Sequence, residues 1–405
     1  MPACSLRSIK NASFNGKRVL VRVDHNIAAD ANGKLKNDEK IRATLKTIEL
    51  LLKKGARLIL MTHIGRPKGK IADEYSTVAV AMRLNKLLHN VKVTHMRSTV
   101  GPEAERAAAA LQKGDILYLE NVRFHPGEEG TAAQQAAFGR KLAAMADLYV
   151  NEAFASCHEY EEASTCAVAR LLPAYAGIHL EKEVKMLGKA VHKPRHPVVL
   201  IVSGAKMETK IPVIERFLKK GDEILLGGCI ANTFIAARGF DVGNSTYEEN
   251  SIEKAQEIML ESEKKGMAAI HVPRDVIVAT DASDGAEKIC LPAEDIEGDM
   301  SIFDIGKVTV ERYMQIIAKA KTIIWNGPLG LYEINRFSHA SKRVAEAVAA
   351  ATRNGAFSVI GGGDTVDFHV KYKYPLDAYS FVSTGGGAML EFIGGRPFPA
   401  IEALS

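Results

Sequence analysis

Short hydrophobic runs alternate with helical patterns from one end of the chain to the other. Residues 17–23 (KRVLVRV) alternate in hydrophobicity as a strand does, and residues 58–61 (LILM) form a continuous run typical of a buried strand. Between them, hydrophobic residues recur at helical spacing, at Ile41, Leu45, Ile48 and Leu52. Gly55 follows, where a glycine commonly ends a helix. The pattern predicts a strand, a helix ending near residue 54, and a second strand.

The same alternation predicts seven further strands. They fall at residues 115–119, 148–150, 198–202, 223–226, 322–325, 358–360 and 379–382. Strands separated by helices are typical of parallel sheets with crossover helices, so the fold class is α/β. A single sheet of this many strands would be very wide, and 405 residues suit two doubly wound domains better.

A domain boundary is predicted near the middle of the chain. Residues 179–190 form a long helical pattern, and the proline-containing residues 193–197 follow it. A helix here would connect the two domains stiffly and favour hinge motion between them. We therefore expect an N-terminal domain at 1–178, a connecting helix at 179–192 and a C-terminal domain at 193–392.

Composition narrows the class of protein. The chain is 47% hydrophobic and 25% charged, which is ordinary for a globular protein. Its net charge of +5 is too small and too dispersed to indicate nucleic acid, but it suits an anionic metabolite. No run is long enough to cross a membrane, residues 1–7 lack a signal-peptide pattern, and the five cysteines have no close-paired spacing. These features predict a cytoplasmic protein without a disulfide framework.

The C-terminal half carries glycine-rich or polar segments directly after four predicted strands. These segments are SGAK at 203–206, NGP at 326–328, GGGDT at 361–365 and STGGGA at 383–388. Glycine at a strand-to-helix junction lets backbone N–H groups approach a phosphate, and the helix N-terminus adds partial positive charge. Lys206 and Lys210 are predicted on one helical face, and Asp364 is a natural Mg²⁺ ligand. Together these segments predict phosphate binding.

Two common nucleotide-binding motifs are absent from the sequence. No segment matches GxxxxGK[ST], so the chain is not a P-loop enzyme. GxGxxG does not follow the first strand of either half, which disfavours a nicotinamide-dependent dehydrogenase.

The N-terminal half places basic residues after its predicted strands. The segments are VRVDHN at 21–26, THIGRP at 62–67 and ENVRFH at 120–125. Arginine and histidine donors at neighbouring strand ends would form a pocket for a phosphate or carboxylate. The sequence thus predicts a kinase of a small metabolite, with nucleotide in the C-terminal half and an anionic substrate in the N-terminal half.

In their order along the chain, these segments resemble the phosphoglycerate kinases. The likeness covers nearly the full length and includes VRVDHN at 21–26, HIGRPKG at 63–69, ENVRFHPGEE at 120–129, SGAK at 203–206, GGCIANTF at 227–234, WNGPLG at 325–330, GGGDT at 361–365 and STGGGA at 383–388. The resemblance, which is to bacterial-type members, implies reversible phosphoryl transfer between 1,3-bisphosphoglycerate with Mg-ADP and 3-phosphoglycerate with Mg-ATP, in glycolysis and gluconeogenesis. It also implies a monomer of two Rossmann-like domains across a deep cleft, with the C-terminal tail, 393–405, packing back on the N-terminal domain.

The resemblance also implies the roles of individual residues. Phosphoglycerate would be held by the segment residues Asp24, Asn26, Lys40, His63, Ile64, Gly65, Arg66, Arg123 and the position of Glu159. The nucleotide would be held by Lys206, Lys210, Asn326, Glu333, Gly362, Gly363, Asp364 and Thr365, with Glu333 at the ribose and Asp364 at the metal. The residues nearest the moving phosphoryl group would be Lys40, Lys206, Lys210 and Gly386.

Three positions depart from the family's pattern. Lys40 stands where the family has an arginine, and Arg42 would point elsewhere on its helix. Glu159 stands where the family has a substrate-binding arginine, beside an apparent one-residue insertion. Ser203 stands where the family usually has a glycine. Lysine lacks the bidentate fork of arginine, and a carboxylate repels an anion. The alternative is therefore a related nucleotide-binding protein with an altered acceptor or low activity, including one retained for interactions with partners.

Overall fold

The computed structural model describes residues 6–30, 33–35, 37–158 and 162–405. The chain divides into two compact units. Unit 1 comprises Met1–Lys185 together with Pro397–Ser405, and unit 2 comprises Met186–Arg396. The boundary between Lys185 and Met186 falls within one helix, α5 (Ile178–His192).

Unit 1 is built on a six-stranded sheet. Its strands are β1 (Arg18–Arg22), β2 (Arg57–Met61), β3 (Val93–His95), β4 (Ile116–Tyr118), β5 (Leu148–Asn151) and β6 (Ala174–Ala176). They lie in the order β3-β4-β2-β1-β5-β6, and every neighbouring pair is parallel. The chain moves from β1 to one side through β2 and later returns to the other side at β5, so the sheet is doubly wound.

Helices join the strands of unit 1. They are α1 (Glu39–Lys53), α2 (Val78–Leu87), α3 (Pro102–Ala110), α4 (Ala132–Ala144) and the short C-terminal α13 (Pro399–Glu402). Helix α1 buries Ile41, Ile48 and Leu51 against the sheet, and Gly55, with φ of 75°, follows its end. The sequence prediction of this helix and its glycine stop is therefore confirmed.

Unit 2 contains a second six-stranded parallel sheet. Its strands are β7 (Val198–Val202), β8 (Glu223–Leu226), β9 (Ala269–His271), β13 (Thr322–Asn326), β14 (Phe357–Gly361) and β15 (Phe381–Ser383), in the order β15-β14-β13-β7-β8-β9. Strands β7, β13 and β14 are buried along their whole length, as expected where helices cover both faces of a sheet. A smaller antiparallel sheet, β11-β10-β12, is formed by β10 (Asp275–Ala279), β11 (Ile289–Pro292) and β12 (Ser301–Ile305).

The helices of unit 2 pack on its large sheet and beside the small one. They are α6 (Ile211–Lys220), α7 (Gly228–Ala237), α8 (Ile252–Ser262), α9 (Lys307–Lys319), α10 (His339–Arg353), α11 (Gly363–Lys371) and α12 (Gly387–Gly394). The core includes Trp325 and Phe368, whose rings lie 6.2 Å apart. The predicted class, two parallel-sheet α/β domains, is confirmed.

The last residues of the chain contact unit 1. Arg7 N donates to Leu404 O at 2.9 Å, and the Phe398 ring stacks on Phe154 with centroids 6.1 Å apart. Phe398 and Leu404 are fully buried. Over the part of the chain that the structure describes, no helix has both the length and the apolar character of a membrane span.

Candidate active site

The glycine-rich segments of unit 2 meet at one edge of its large sheet. Ser203 follows β7, Asn326 ends β13, Gly362 follows β14 and Gly386 lies three residues beyond β15. Strands β7 and β13 are neighbours, and the chain leaves β7 in the opposite direction, towards β8. The segments therefore lie at the carboxyl ends of the strands, at the point where the strand order reverses, which is where open α/β sheets bind ligands.

Lys206 and Lys210 lie in the turns before α6, because that helix begins at Ile211. The prediction that both lysines lie on one face of a helix is therefore wrong. Pro212, within the first turn, suits the start of the helix. Even so, both lysines line the same cavity as the glycine-rich turns, Lys206 exposed and Lys210 buried.

The ammonium group of Lys210 is held inside this cavity. Its Nζ donates to Asn326 Oδ1, and Asn326 Nδ2 donates to Gly361 O at 2.8 Å. Burial lowers the pKa of Lys210 from 10.5 to about 8, although the charge of Asp364 opposes that shift. A partly desolvated cation with one neutral partner is well suited to attract a phosphate.

The turn from β14 into α11 brings backbone close to this lysine. Gly362 has φ of 101°, and a Cβ atom there would lie 2.7 Å from Asn326 Nδ2, so a side chain would collide with the amide. Gly363 and Asp364 open the helix, and Thr365 Oγ1 accepts from Gly327 N at 2.8 Å. This bond ties α11 to the turn after β13.

Two neighbouring cavities share the strand ends. One, of about 300 Å³, is lined by both lysines and by Gly362, Gly363, Thr365, Gly386 and Gly387. The other, of about 240 Å³, has a more apolar wall that includes Ile302, Leu331 and Glu333. Ser203, Gly204, Ala205 and Asp364 line both cavities. The arrangement offers a space lined by two lysines beside a smaller and more apolar one.

The side chains at this edge of the large sheet suit a magnesium ion that binds together with phosphates. Asp364 is exposed in the first turn of α11 and faces both cavities. Among the described residues, no three His, Cys, Asp or Glu side chains form a metal-binding group. Mg²⁺ commonly uses one or two carboxylates, with phosphate and water oxygens completing its octahedron.

The predicted anion site of unit 1 is built around the buried Arg22 and His63. Arg22 Nη2 donates to His63 Nδ1 at 2.8 Å, and Arg22 Nη1 donates to Val23 O at 2.7 Å. Burial and the charges of Arg22 and Arg123 lower the pKa of His63 well below 6.5, so the ring is neutral. Because arginine only donates, His63 Nδ1 accepts and the ring proton lies on Nε2.

Asn26 and Asp24 continue this site. Asn26 Nδ2 lies 3.1 Å from His63 Nε2, and Asn26 Oδ1 accepts from Gly65 N at 3.0 Å. Asn26 Nδ2 and His63 Nε2 are thus two adjacent N–H donors, and one oxygen acceptor placed beside them can accept from both. Lys40 Nζ lies 2.9 Å from Asp24 Oδ2; burial would raise the pKa of Asp24, but Lys40 holds it below 3.8.

Arg123 lies between two carboxylates. It follows β4 in a 3₁₀ turn, and its Nη2 donates to Glu162 Oε1 at 2.6 Å, while Nε lies 3.0 Å from Glu129 Oε1. Its Nη1 donates to Gly65 O at 3.1 Å. Both Arg123 and Glu162 are almost completely buried.

The remaining predicted residues of unit 1 differ in placement. Ile64 is buried and its carbonyl accepts from Asn121 Nδ2 at 2.7 Å, while Arg66 is exposed. Arg42 is exposed and pairs with Asp38 at 2.8 Å. Glu159 lies outside the described residues, so its predicted role stays a prediction.

Several buried groups of this network are not among the residues predicted from the sequence. Glu162 Oε2 lies 3.6 Å from Arg22 Nη2, and Glu128 accepts from Ser164 N at 3.0 Å. Burial and the neighbouring Glu162 raise the pKa of Glu128 to about 8. Arg22 was detectable as a charged residue within the apolar part of the strand, next to the VDHN segment. Glu128 and Glu162 are distant from Arg22 in sequence, and no local sequence pattern indicates that they pack beside it.

The chain has two doubly wound units. One carries lysines and glycine-rich turns at its strand ends, and the other carries clustered basic side chains. This combination is what a kinase of a small anionic molecule requires. The family model described as "Phosphoglycerate kinase" matches residues 9–396. The chain belongs to this family.

Individual relatives agree with this assignment. The chain is similar to a "Phosphoglycerate kinase" of Chloroflexus aurantiacus (43% identity over 98% of each chain) and to one of Moorella thermoacetica (42% identity over 98% of each). Among solved structures it resembles the phosphoglycerate kinase of Coxiella burnetii, with a TM-score of 0.88 and 37% identity over 98% of each chain. It also resembles that of Pyrococcus horikoshii OT3, with a TM-score of 0.83 and 31% identity over 98% of each.

Proposed function

We propose that the protein is a phosphoglycerate kinase, transferring a phosphoryl group reversibly between 1,3-bisphosphoglycerate with Mg-ADP and 3-phosphoglycerate with Mg-ATP. The observation that carries the proposal is the buried Lys210, set among glycine-rich strand ends beside Asp364, in a chain that matches this family along nearly its whole length. The same reaction would serve glycolysis and gluconeogenesis, in the cytoplasm, with the protein acting as a monomer.

The nucleotide is assigned to the two neighbouring cavities of unit 2. Lys206, Lys210 and the backbone N–H groups at Gly362 and Gly363 would bind the phosphates, while Glu333 would bind the ribose in the more apolar cavity. Asn326 and Thr365 hold Lys210 and the Gly327 turn in place. Asp364 would hold Mg²⁺, which supplies positive charge to the phosphate oxygens.

The 3-phosphoglycerate is assigned to unit 1. Asn26 Nδ2 and the Nε2 proton of His63 would bind an oxygen of the ligand, and Arg66 and Arg123 would bind its phosphate. The Asp24–Lys40 pair lies beside them. Lys40 and Gly386 are the groups that we assign to the phosphoryl group during transfer.

The acceptor of this reaction is a carboxylate, which is already ionised at neutral pH. Its attack on the γ-phosphorus forms an acyl-phosphate bond as the bond to the ADP oxygen breaks, so no general base is required. The protein's contribution is to position both substrates and to surround three equatorial oxygens with cations and N–H dipoles. Because the substrates are assigned to different units, the proposal includes a hinge movement during turnover.

The proposal is tested by measuring ATP- and Mg²⁺-dependent phosphorylation of 3-phosphoglycerate. The purified protein is coupled to a reductase of 1,3-bisphosphoglycerate, and the oxidation of its nicotinamide cofactor is followed. Lys210→Met keeps the length of the side chain but removes the charge, and we expect kcat/KM to fall about a thousandfold or more. Lys220→Met, at the exposed end of α6, is the matched control and keeps full activity.

Three outcomes distinguish the alternatives. Turnover that is lost only in Lys210→Met supports the proposal. Nucleotide binding without turnover of 3-phosphoglycerate would favour the altered-acceptor alternative raised by Lys40 and Glu159. Equal activity of both variants would contradict the assignment of the phosphates to Lys210.

A further inference from the structure

A second polar cavity lies in unit 2, away from the residues assigned to the nucleotide. It has a volume of about 200 Å³ and is lined by the end of α7, by β9 with the loop that follows it, and by α9. Its polar lining consists of Arg238, His271, Arg274, Thr309, Arg312 and Tyr313. None of these residues lines either of the two nucleotide cavities.

Three arginines from three different parts of unit 2 line this cavity. Arg238 follows α7, Arg274 precedes β10 and Arg312 lies within α9. Within the described parts of the chain, none of the three forms an ion pair with a carboxylate. Partial burial and the charge of Arg274 lower the pKa of Arg238, in keeping with cations that repel one another without a compensating anion.

The nearby carboxylates already have other partners. Glu223 pairs with His271 Nε2, and Glu311 lies 4.0 Å from Lys307 Nζ. Asp275 accepts from Thr309 N at 2.8 Å and from Val308 N at 2.9 Å. Among the described residues, none of these carboxylates forms an ion pair with the three arginines.

The walls of the cavity are fixed by hydrogen bonds between its elements. Tyr313 Oη contacts His271 O at 2.7 Å and Leu226 O at 2.8 Å, which joins α9 to β8 and β9. Arg274 N donates to Thr309 Oγ1 at 2.9 Å, which joins the start of β10 to α9. These bonds fix the backbone that carries Arg274 and Arg312, while the side chains of Arg238 and Arg274 are exposed to solvent.

We propose that this cavity binds a small phosphate-bearing polyanion, such as pyrophosphate or a short-chain phosphate ester. Guanidinium groups recognise phosphate oxygens through paired N–H donors, and three of them can neutralise more than one phosphate charge. Drug-sized ligands occupy pockets of about 300–1,000 Å³, so a cavity of 200 Å³ favours a small ligand. The inference goes beyond the proposed kinase activity and does not depend on it.

The test is a calorimetric titration of the full chain with pyrophosphate, without added metal and at constant ionic strength. The double variant Lys210→Met/Arg66→Gln weakens phosphate binding at the proposed substrate sites, and we expect saturable binding of pyrophosphate to persist in it. Adding Arg274→Gln and Arg312→Gln to that background should raise Kd by about tenfold or more. Unchanged Kd, or heat that is not saturable, would overturn the proposal.

Two further readouts separate binding from a structural role. Removing mutually repelling charges should leave the thermal midpoint of anion-free Arg274→Gln/Arg312→Gln unchanged or higher, whereas arginines that hold the fold together would give a lower midpoint. Pyrophosphate should raise the midpoint of the wild type more than that of this variant. Citrate is titrated in parallel, and tighter binding of citrate than of pyrophosphate would overturn the assignment to phosphate.

Discussion

At the scale of single residues, Glu162 places a carboxylate on the guanidinium of Arg123, where we propose that the substrate phosphate binds. We expect Glu162→Gln to lower KM for 3-phosphoglycerate by about fivefold, because it removes a buried negative charge that competes with the anion. Initial rates at varied 3-phosphoglycerate and saturating ATP measure this. The loss of a buried ion pair should also lower the thermal midpoint.

Glu129→Gln is the matched control for this prediction. Glu129 also contacts Arg123, but its side chain is 42% exposed, so its charge is screened by water and its effect on KM should be smaller. If Glu162→Gln folds and its KM is unchanged or higher, Glu162 does not compete with the substrate.

Lys210 should take up a proton when nucleotide binds. Its pKa in the free protein is about 8, and a nearby phosphate would raise that pKa, so the bound form is more fully protonated near pH 8. Calorimetry of Mg-ADP binding in buffers of different ionisation enthalpy measures the uptake. The same uptake in Lys210→Met, at nucleotide concentrations that saturate this weaker-binding variant, would assign the proton to another group.

The side chains of the site were predictable only where they follow strands. Asn26 and His63 follow strands of the unit 1 sheet, and the topology of that sheet brings them together; Asn326 ends a strand of the unit 2 sheet. Arg22 and Glu162 are separated by most of unit 1 in sequence, and their pairing depends on packing that no local pattern contains.

At the scale of elements, the entry into α11 depends on Gly362. We expect Gly362→Ala to destabilise the protein by about 1–3 kcal/mol, because alanine disfavours its φ of 101° and its Cβ would displace the Asn326 amide. Gly363→Ala is the matched control, since it begins the helix and its Cβ would meet nothing within 4 Å. Chemical denaturation of both variants measures the difference, and equal stability would contradict the argument.

Fully buried strands were predictable from their apolar runs, whereas the partly exposed β3 was not. Strands β7, β13 and β14 are continuous apolar runs, but β3 has only three residues, one of them exposed, so it shows no clear period. The strands of the small antiparallel sheet were missed too. Lys206 and Lys210 lie outside the helix because α6 begins at Ile211, and Pro212 in its first turn is the sequence signal of that start.

At the scale of the whole molecule, buried carboxyl groups should make the protein less stable as pH rises from about 6.5 to about 8. Burial raises the pKa of Glu128 and Glu152 to about 8 and that of Asp304 to about 7. In this window the folded chain retains protons that the unfolded chain has released, so each group lowers stability, on the order of 1 kcal/mol. Buried His25 has the opposite effect on stability, because its pKa is lowered from 6.5 to about 3. That effect falls at pH values between these two and therefore below the window of the buried carboxyl groups.

Denaturation midpoints at pH 6.5 and 8 measure this dependence. Glu152→Gln should reduce the loss of stability between the two pH values, because glutamine does not titrate. Glu103→Gln, on the exposed face of α3, serves as the control and should leave the pH dependence unchanged. A wild-type protein that is equally stable at both pH values would contradict the prediction.

The contact of the C-terminal residues with unit 1 has a consequence for folding order. Because Pro397–Ser405 belong to unit 1, unit 2 is an insertion within a discontinuous domain. Unit 2 is continuous in sequence and can complete its core from neighbouring segments alone. Unit 1 cannot: until the last residues arrive, Phe154 lacks the ring of Phe398 and Arg7 lacks the carbonyl of Leu404. The domain whose synthesis begins first is therefore the one whose core closes last.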